Sequence, residues 1–187
     1  DHAPFGAAAK DLAARFGVRM GTGYAFALTE GGADLTTNLV YPAKAFGDHP
    51  IMAGRDPTER VESVTAFTGQ SLEGPEEATV LLHMTGGARE APDLPTLQAL
   101  AERLDDAGSP EGAIAELSEP ALPAQGLAFE YGRGRVVVLG EAGMLSAQLV
   151  RFAPESGQAD RRFGMNVAPG NARFGLNVLH WLSGLLP

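Results

Sequence analysis

GRGRVVVLGEAGMLSAQ, residues 132–148, is the stretch of sequence that decides the predicted fold. A glycine-rich turn leads into the aliphatic run 135–139, and this run ends abruptly in polar side chains. Residues 127–131 before the turn are equally strand-like, so the two segments predict a β-hairpin. Polar groups that follow directly on a strand are typical of α/β domains, whose functional sites lie at the carboxyl ends of strands.

Hydrophobic periodicity on both sides of this stretch predicts the other elements. We expect a helix over 4–16, strands over 24–28, 61–68 and 79–84, and a helix over 96–104 within the Gly-, Pro- and acid-rich segment 85–125. A last helix is predicted to begin at Asn171, which would cap it. Its apolar stripe contains Phe174, Val178, Trp181, Leu182 and Leu185. Strands alternating with terminal helices favour a single layered α/β domain over residues 1–187.

The composition is that of a globular protein and excludes several classes of function. The 187 residues are 44% hydrophobic and 20% charged, with a net charge of −9. This charge argues against a nucleic-acid partner, since phosphate contacts need a basic surface. No apolar run is long enough to span a bilayer. The absence of cysteine excludes disulfides, thiolate metal sites and thiol catalysis.

The chain begins at Asp1-His2 without a methionine. This start predicts a trimmed product, and trimming is compatible with an exported or periplasmic protein. Residues 61–119 hold twelve acids and two arginines, whereas the flanking segments are close to neutral. A solvated acidic surface is the simplest interpretation of this middle segment.

Several short segments together resemble a known superfamily. They are DHAPFGAA at the start, HPIMAG over 49–54, TAFTGQ over 65–70, the stretch 132–144, GMN over 164–166 and NVLHWL over 177–182. They are similar to an uncharacterised bacterial branch of the class I glutamine amidotransferase-like superfamily. The resemblance implies a flavodoxin-like three-layer sandwich with a mostly parallel sheet and one late antiparallel hairpin. It also implies further strands upstream of residue 1.

Amidotransferases of this superfamily use a cysteine nucleophile paired with a histidine. This chain has no cysteine, so the resemblance does not carry amidotransferase activity over to it. A sheet that lacks upstream strands would expose unpaired backbone groups at its edge. Such an edge predicts a homo-oligomer.

Five residues are predicted to converge at one rim of this parallel sheet, because each follows a predicted strand. They are Asp1, His2, Gln70, Ser71 and Glu141. An Asp, a His and a Glu together could hold a divalent metal or act as general acid and base. Alternatively, Asp1 and Glu141 cap a helix and a turn through backbone hydrogen bonds. Ser71 is a weaker candidate nucleophile, since GQSLEG lacks the Gly-x-Ser-x-Gly spacing.

Three amide side chains, Gln148, Asn166 and Asn171, are further candidate ligand-binding residues. The leading hypothesis is a domain that binds or senses a small molecule at the rim. The first alternative is a hydrolase of ester, amide or glycosidic bonds that uses His2 and Glu141, with or without a metal. The second is a structural interaction domain. His83, within an apolar strand, is predicted to be a core histidine.

Overall fold

In the described part of the chain, three helices and eleven strands have defined boundaries, and most of the strands are short. The computed structural model describes residues 6–27, 38–84, 87–93, 95, 96, 99, 102, 117–157 and 159–187. The elements are α1 (Gly6–Arg15), β1 (Arg19–Met20), β2 (Tyr24–Ala27), β3 (Leu39–Pro42), α2 (Pro50–Ala53), β4 (Ser63–Ala66), β5 (Leu72–Glu73), β6 (Thr79–His83), β7 (Ala88–Ala91), β8 (Ala124–Tyr131), β9 (Gly134–Leu139), β10 (Ala147–Val150), β11 (Arg161–Gly164) and α3 (Pro169–Leu182).

Strand β8 organises a five-stranded sheet. Its neighbours are β5, β6 and β9, and β1 extends the sheet beyond β5. The predicted hairpin is confirmed, since β8 and β9 pair in register from Gly126–Leu139 to Tyr131–Gly134. Gly132 in its turn has a φ of 60°, a conformation that glycine adopts without steric cost. Three two-stranded sheets, β2–β7, β3–β4 and β10–β11, complete the strand pairing of the described residues.

The predicted flavodoxin-like three-layer sandwich is wrong. Every strand pairing in the described residues is antiparallel. Parallel neighbours need a crossover of about a dozen residues or more, usually a helix that covers the sheet. The connection from β3 to β4 instead carries a helix of four residues and two 3-10 turns, which is too little to cover a sheet face.

Two hydrophobic clusters form the core. The larger joins β3, β4, β6, α2 and α3, and among its buried members are Tyr41, Ile51, Val64, Leu81, Phe174 and Trp181. The smaller joins α1, β1, β5 and β8 through residues such as Ala13, Met20, Leu72 and Leu127. Burial of Trp181 beside Phe174 and Val178 confirms the predicted inner face of the last helix.

The end of α3 is held by contacts with β9 and α2. Arg135 donates hydrogen bonds to the carbonyls of Trp181 (2.7 Å) and Leu186 (2.8 Å), and its guanidinium lies 5.0 Å from the Trp181 ring centroid. His49 contacts the same ring edge-on, with centroids 4.9 Å apart. The His49 Nδ1 accepts a hydrogen bond from the Ile51 N–H and thereby caps α2. The last helix is therefore fixed to the body of the protein near its carboxyl end.

Candidate functional site

The structure brings together Gln70, Ser71 and Glu141, three of the residues predicted to form a site. The Gln70 N–H donates to the Gly140 carbonyl at 2.9 Å, so segment 67–71 lies against the end of β9. The expected cause, parallel strands that end at one edge, does not apply because the strands are antiparallel. A direct backbone contact between two loops produces the proximity instead. Asp1 and His2, the other members of the predicted rim, lie outside the described residues.

Glu141 is buried and its two carboxylate oxygens bind backbone groups. They accept hydrogen bonds from the N–H groups of Phe67 (3.2 Å), Met144 (2.8 Å) and Gly143. Burial raises the pKa of Glu141, and the three hydrogen bonds act in the opposite direction. The side chain caps the 3-10 turn Gly143–Leu145 and ties it to segment 67–71. Glu141 therefore has the capping role that the sequence offered as the alternative to a metal-binding or catalytic one.

Ser71 and Gln70 are also engaged inside the protein. The fully buried Ser71 Oγ donates to Glu90 Oε2 at 3.4 Å, and the same oxygen accepts from the Ala121 N–H at 2.7 Å. Gln70 Nε2 donates to the Gly21 carbonyl at 2.7 Å. A serine nucleophile needs an adjacent base and access to the substrate. Complete burial removes that access, so Ser71 stabilises the local fold.

Asn171 joins the last helix to β4. Its Oδ1 accepts from the Thr65 N–H (2.8 Å), and its Nδ2 donates to the carbonyls of Thr65 (2.7 Å) and Met144 (3.0 Å). The side chain thereby binds the backbone N–H and C=O of Thr65, which a neighbouring strand would otherwise pair with. The helix begins at Pro169, so Asn171 lies within its first turn rather than at the predicted cap position. Its burial and three bonds give it a structural role.

Gln148 and Asn166 lie elsewhere, on the exposed β10–β11 hairpin and its flank. Asn166 Nδ2 donates to the Gln148 carbonyl at 3.1 Å, and Gln148 Nε2 donates to Ser146 Oγ at 2.8 Å. These two amides therefore belong to a solvent-exposed ribbon and not to the buried cluster around Glu141.

Thr68 is the most strained backbone position of the described chain. Its φ of 137° is an outlier for a β-branched residue, and Gly69 follows with a φ of 125°. A Cβ at Gly69 would lie 2.6 Å from both the Glu141 Cβ and the Gly140 carbonyl oxygen, so this contact requires glycine. The buried Thr68 Oγ1 has no hydrogen-bond partner among the described residues. Strain of this kind is often associated with functional sites.

A line of polar contacts runs from Thr68 towards the protein surface. Gln125 Nε2 donates to the Thr68 carbonyl at 3.0 Å, and the Tyr41 hydroxyl donates to Gln125 Oε1 at 2.5 Å. The same hydroxyl lies 3.4 Å from Met84 Sδ. Burial raises the pKa of Tyr41 well above its ordinary value, so the phenol remains neutral and a hydrogen-bond donor. Met84 is the last member of this line.

Met84 lines a surface cavity of about 350 Å³ that combines polar and apolar groups. His83 and Glu119 supply the titratable side chains of its wall, and Pro120, Leu122 and Pro123 supply apolar surface. This volume lies within the range of small-molecule sites, which are mostly apolar with a few convergent polar groups. The lining of this cavity includes both a carboxylate and an imidazole.

Sequence reasoning missed this cavity because it assigned His83 to the core. That prediction is wrong, since His83 is exposed at the end of β6. The pairing of β6 with β8 is irregular between Leu82 and His83, and such a bulge redirects the side chain that follows it. The closely spaced Pro120 and Pro123 indicate an irregular segment, and this was the signal of the cavity that the sequence contained.

The sequence left open whether the site holds a divalent metal. Among the described residues, no group of three His, Asp or Glu side chains is placed to hold a metal ion. In the same part of the chain, no helix has the length and apolarity that a bilayer span requires.

No protein-family model, curated protein sequence or solved structure matches this chain. The resemblance to the amidotransferase-like superfamily therefore stays a prediction, and the functional argument depends on the chain's own geometry.

Proposed function

We propose that the protein is a binding domain for a small organic cation, which occupies the cavity lined by His83, Met84 and Glu119. The observation that carries this proposal is the combination of a carboxylate and an imidazole with apolar walls in one cavity of about 350 Å³. A primary or quaternary amine on a short apolar body matches this lining. The amine would bind Glu119, and the apolar body would contact Met84 and the neighbouring prolines.

Charge supports a cationic ligand. The two ion pairs of the described residues are Arg19–Glu73 and Arg55–Glu59, and neither involves Glu119. The chain as a whole carries a net charge of −9. A protein with this excess of acids attracts cations and raises their local concentration.

Two observations favour binding over hydrolysis. The Glu141 carboxylate is engaged by three backbone N–H groups, whereas a general acid or base must exchange its proton with a substrate. Ser71 is fully buried and is therefore closed to a substrate. The hydrolase hypothesis would require His2 and Glu141 to act together, and it stays a prediction.

Isothermal titration calorimetry with ethanolamine, choline and butylamine tests the proposal. We expect saturable binding of at least one of these amines to the wild-type protein. Loss of a charge-assisted contact should weaken binding about 10-fold or more in Glu119→Gln. The matched control is Glu77→Gln, which removes an exposed acid outside the cavity and should leave affinity unchanged. Equal affinities for wild type and Glu119→Gln, or no heat with any amine at about 10 mM, would overturn the proposal.

A further inference from the structure

The outer face of α3 carries exposed leucines. Leu176, Leu179 and Leu182 are 42%, 62% and 43% exposed. With Ala172 and Gly175 they lie on one side of the helix, because residues three and four apart share a face. Leu182 and Leu185, which the sequence placed on the apolar stripe with Trp181, are therefore not part of the buried face, since Leu185 is also exposed. We call the five residues Ala172, Gly175, Leu176, Leu179 and Leu182 the outer stripe.

This stripe has a concave part. A groove of about 430 Å³ runs between the helix and the turn before β10, and Leu145, Met165, Ala172, Gly175, Leu176 and Leu179 lie along it. Gly175 lets that turn approach the helix, since a Cβ there would lie 3.2 Å from Leu145 Cδ2. The surface therefore has a depression at its amino-terminal half and projecting leucines at its carboxyl-terminal half.

The spacing of small and large residues along the stripe is self-complementary. Residue 177 is the midpoint both of Ala172 and Leu182 and of Gly175 and Leu179. Two antiparallel copies of α3 related by a twofold axis at residue 177 therefore place Leu182 of one copy against Ala172 of the other, and Leu179 against Gly175. We infer that the outer stripe is the interface of a homodimer, in which Leu179 of each copy fills the groove of its partner at Gly175.

The area of this surface is compatible with a homodimer interface. With Leu145, an exposed residue that lines the same groove, the leucines of the stripe present on the order of 300 Å² of accessible area, within the roughly 300–600 Å² of the largest apolar patch on a monomeric protein. This area would form the apolar centre of the roughly 800 Å² that each partner contributes to a standard interface.

Charge also favours a second copy over a lipid surface. Residues 169–187 contain Arg173 and His180 and no acid or lysine, whereas helices that bind membranes carry many basic residues on their polar face. In the antiparallel pair, the two Arg173 side chains would start about 12 Å apart along the axis. At this distance salt largely screens their repulsion. An isologous pair of this kind is closed and stops at two copies.

Sedimentation velocity across micromolar concentrations tests the inference. We expect the wild-type protein to form a species of twice the 19.5 kDa monomer mass. Leu179→Glu should weaken association at least about 30-fold, as for a central interface residue. Leu12→Glu is the matched control, because Leu12 is a 63% exposed leucine on α1 and lies outside the stripe. Far-ultraviolet circular dichroism verifies that both variants are folded.

An exchange of side chains tests the register. Ala172→Leu alone should clash with Leu182 of the second copy, and Leu182→Ala alone should leave a gap, so each should weaken the dimer. The double variant exchanges the large and small partners and should recover most of the wild-type affinity. A wild-type monomer at 100 micromolar (roughly the upper limit for a stable interface), a dimer unaffected by Leu179→Glu, or a double variant weaker than both single ones would overturn the inference.

Discussion

Replacement of Glu141 by glutamine separates a structural role of this residue from a catalytic one. The wild-type carboxylate accepts from three backbone N–H groups, those of Phe67, Gly143 and Met144. A glutamine has one acceptor oxygen, and its NH₂ group would face at least one N–H donor in either orientation. An unsatisfied buried donor costs about 1–3 kcal/mol, so we expect the free energy of unfolding to fall by about this amount.

Urea unfolding of Glu141→Gln and wild type measures this change directly. For a protein of this length, a loss of about 2 kcal/mol corresponds to a decrease in Tm of about 4–8 °C. Glu130→Gln, at an exposed position of β8, is the matched control and should leave the midpoint unchanged. If Glu141→Gln unfolded at the wild-type midpoint, the three hydrogen bonds would not stabilise the fold as described here.

Three further predictions concern the anchoring of α3. Asn171→Asp should lower stability by about 2–4 kcal/mol in urea unfolding, since it removes two buried donors and adds a charge; the exposed Asn166→Asp should change it little. Trp181→Ala should cost about 3–5 kcal/mol, and an unchanged melting curve would contradict the packing of this helix. Burial and the nearby Arg135 lower the pKa of His49 below its ordinary 6.5. On acidification, His49 is therefore protonated at a higher pH in the unfolded chain than in the folded protein. Stability present above pH 6.5 should then be lost as the pH falls through the lowered pKa, and His49→Asn should flatten this dependence.

Elements encoded by local sequence could be predicted. The β8–β9 hairpin follows from a glycine turn between two apolar runs, and both features lie within about twenty residues. Trp181 and Phe174 were assigned correctly to the inner face of α3 because their spacing follows the helical period. Leu182 and Leu185 were assigned to the same face, although both are exposed. The sequence pattern cannot distinguish a leucine that packs in the core from one at the edge of the helix that packs against another molecule.

The relative direction of the strands could not be predicted, because the alternation of side chains along a strand is the same in parallel and antiparallel pairs. The resemblance implied a mostly parallel sheet, and this implication was wrong. Gln70 and Glu141 nevertheless meet, since segment 67–71 binds the backbone of Gly140. Sequence reasoning therefore brought these residues together for the wrong cause, and of its two interpretations of Glu141 the structure shows the capping one.

The cavity at His83 depends on features that the sequence does not display. The irregular pairing after Leu82 turns His83 outwards, although the run TVLLHM reads as a buried strand. Glu119 reaches the same cavity from a part of the chain that shows no hydrophobic period. Proximity of two such residues is a property of the tertiary structure, which local patterns do not encode.

The central claim is that the ligand cavity lies at His83, Met84 and Glu119, and that the polar cluster around Glu141 holds the fold. A two-dimensional ¹H–¹⁵N NMR titration with choline, ethanolamine and butylamine tests it most directly. We expect saturable shifts for the backbone amides of residues 83, 84, 119 and 122, with those of 67–71 and 141–144 unchanged. Shifts confined to 67–71 and 141–144 would contradict the account and return the site to the predicted rim.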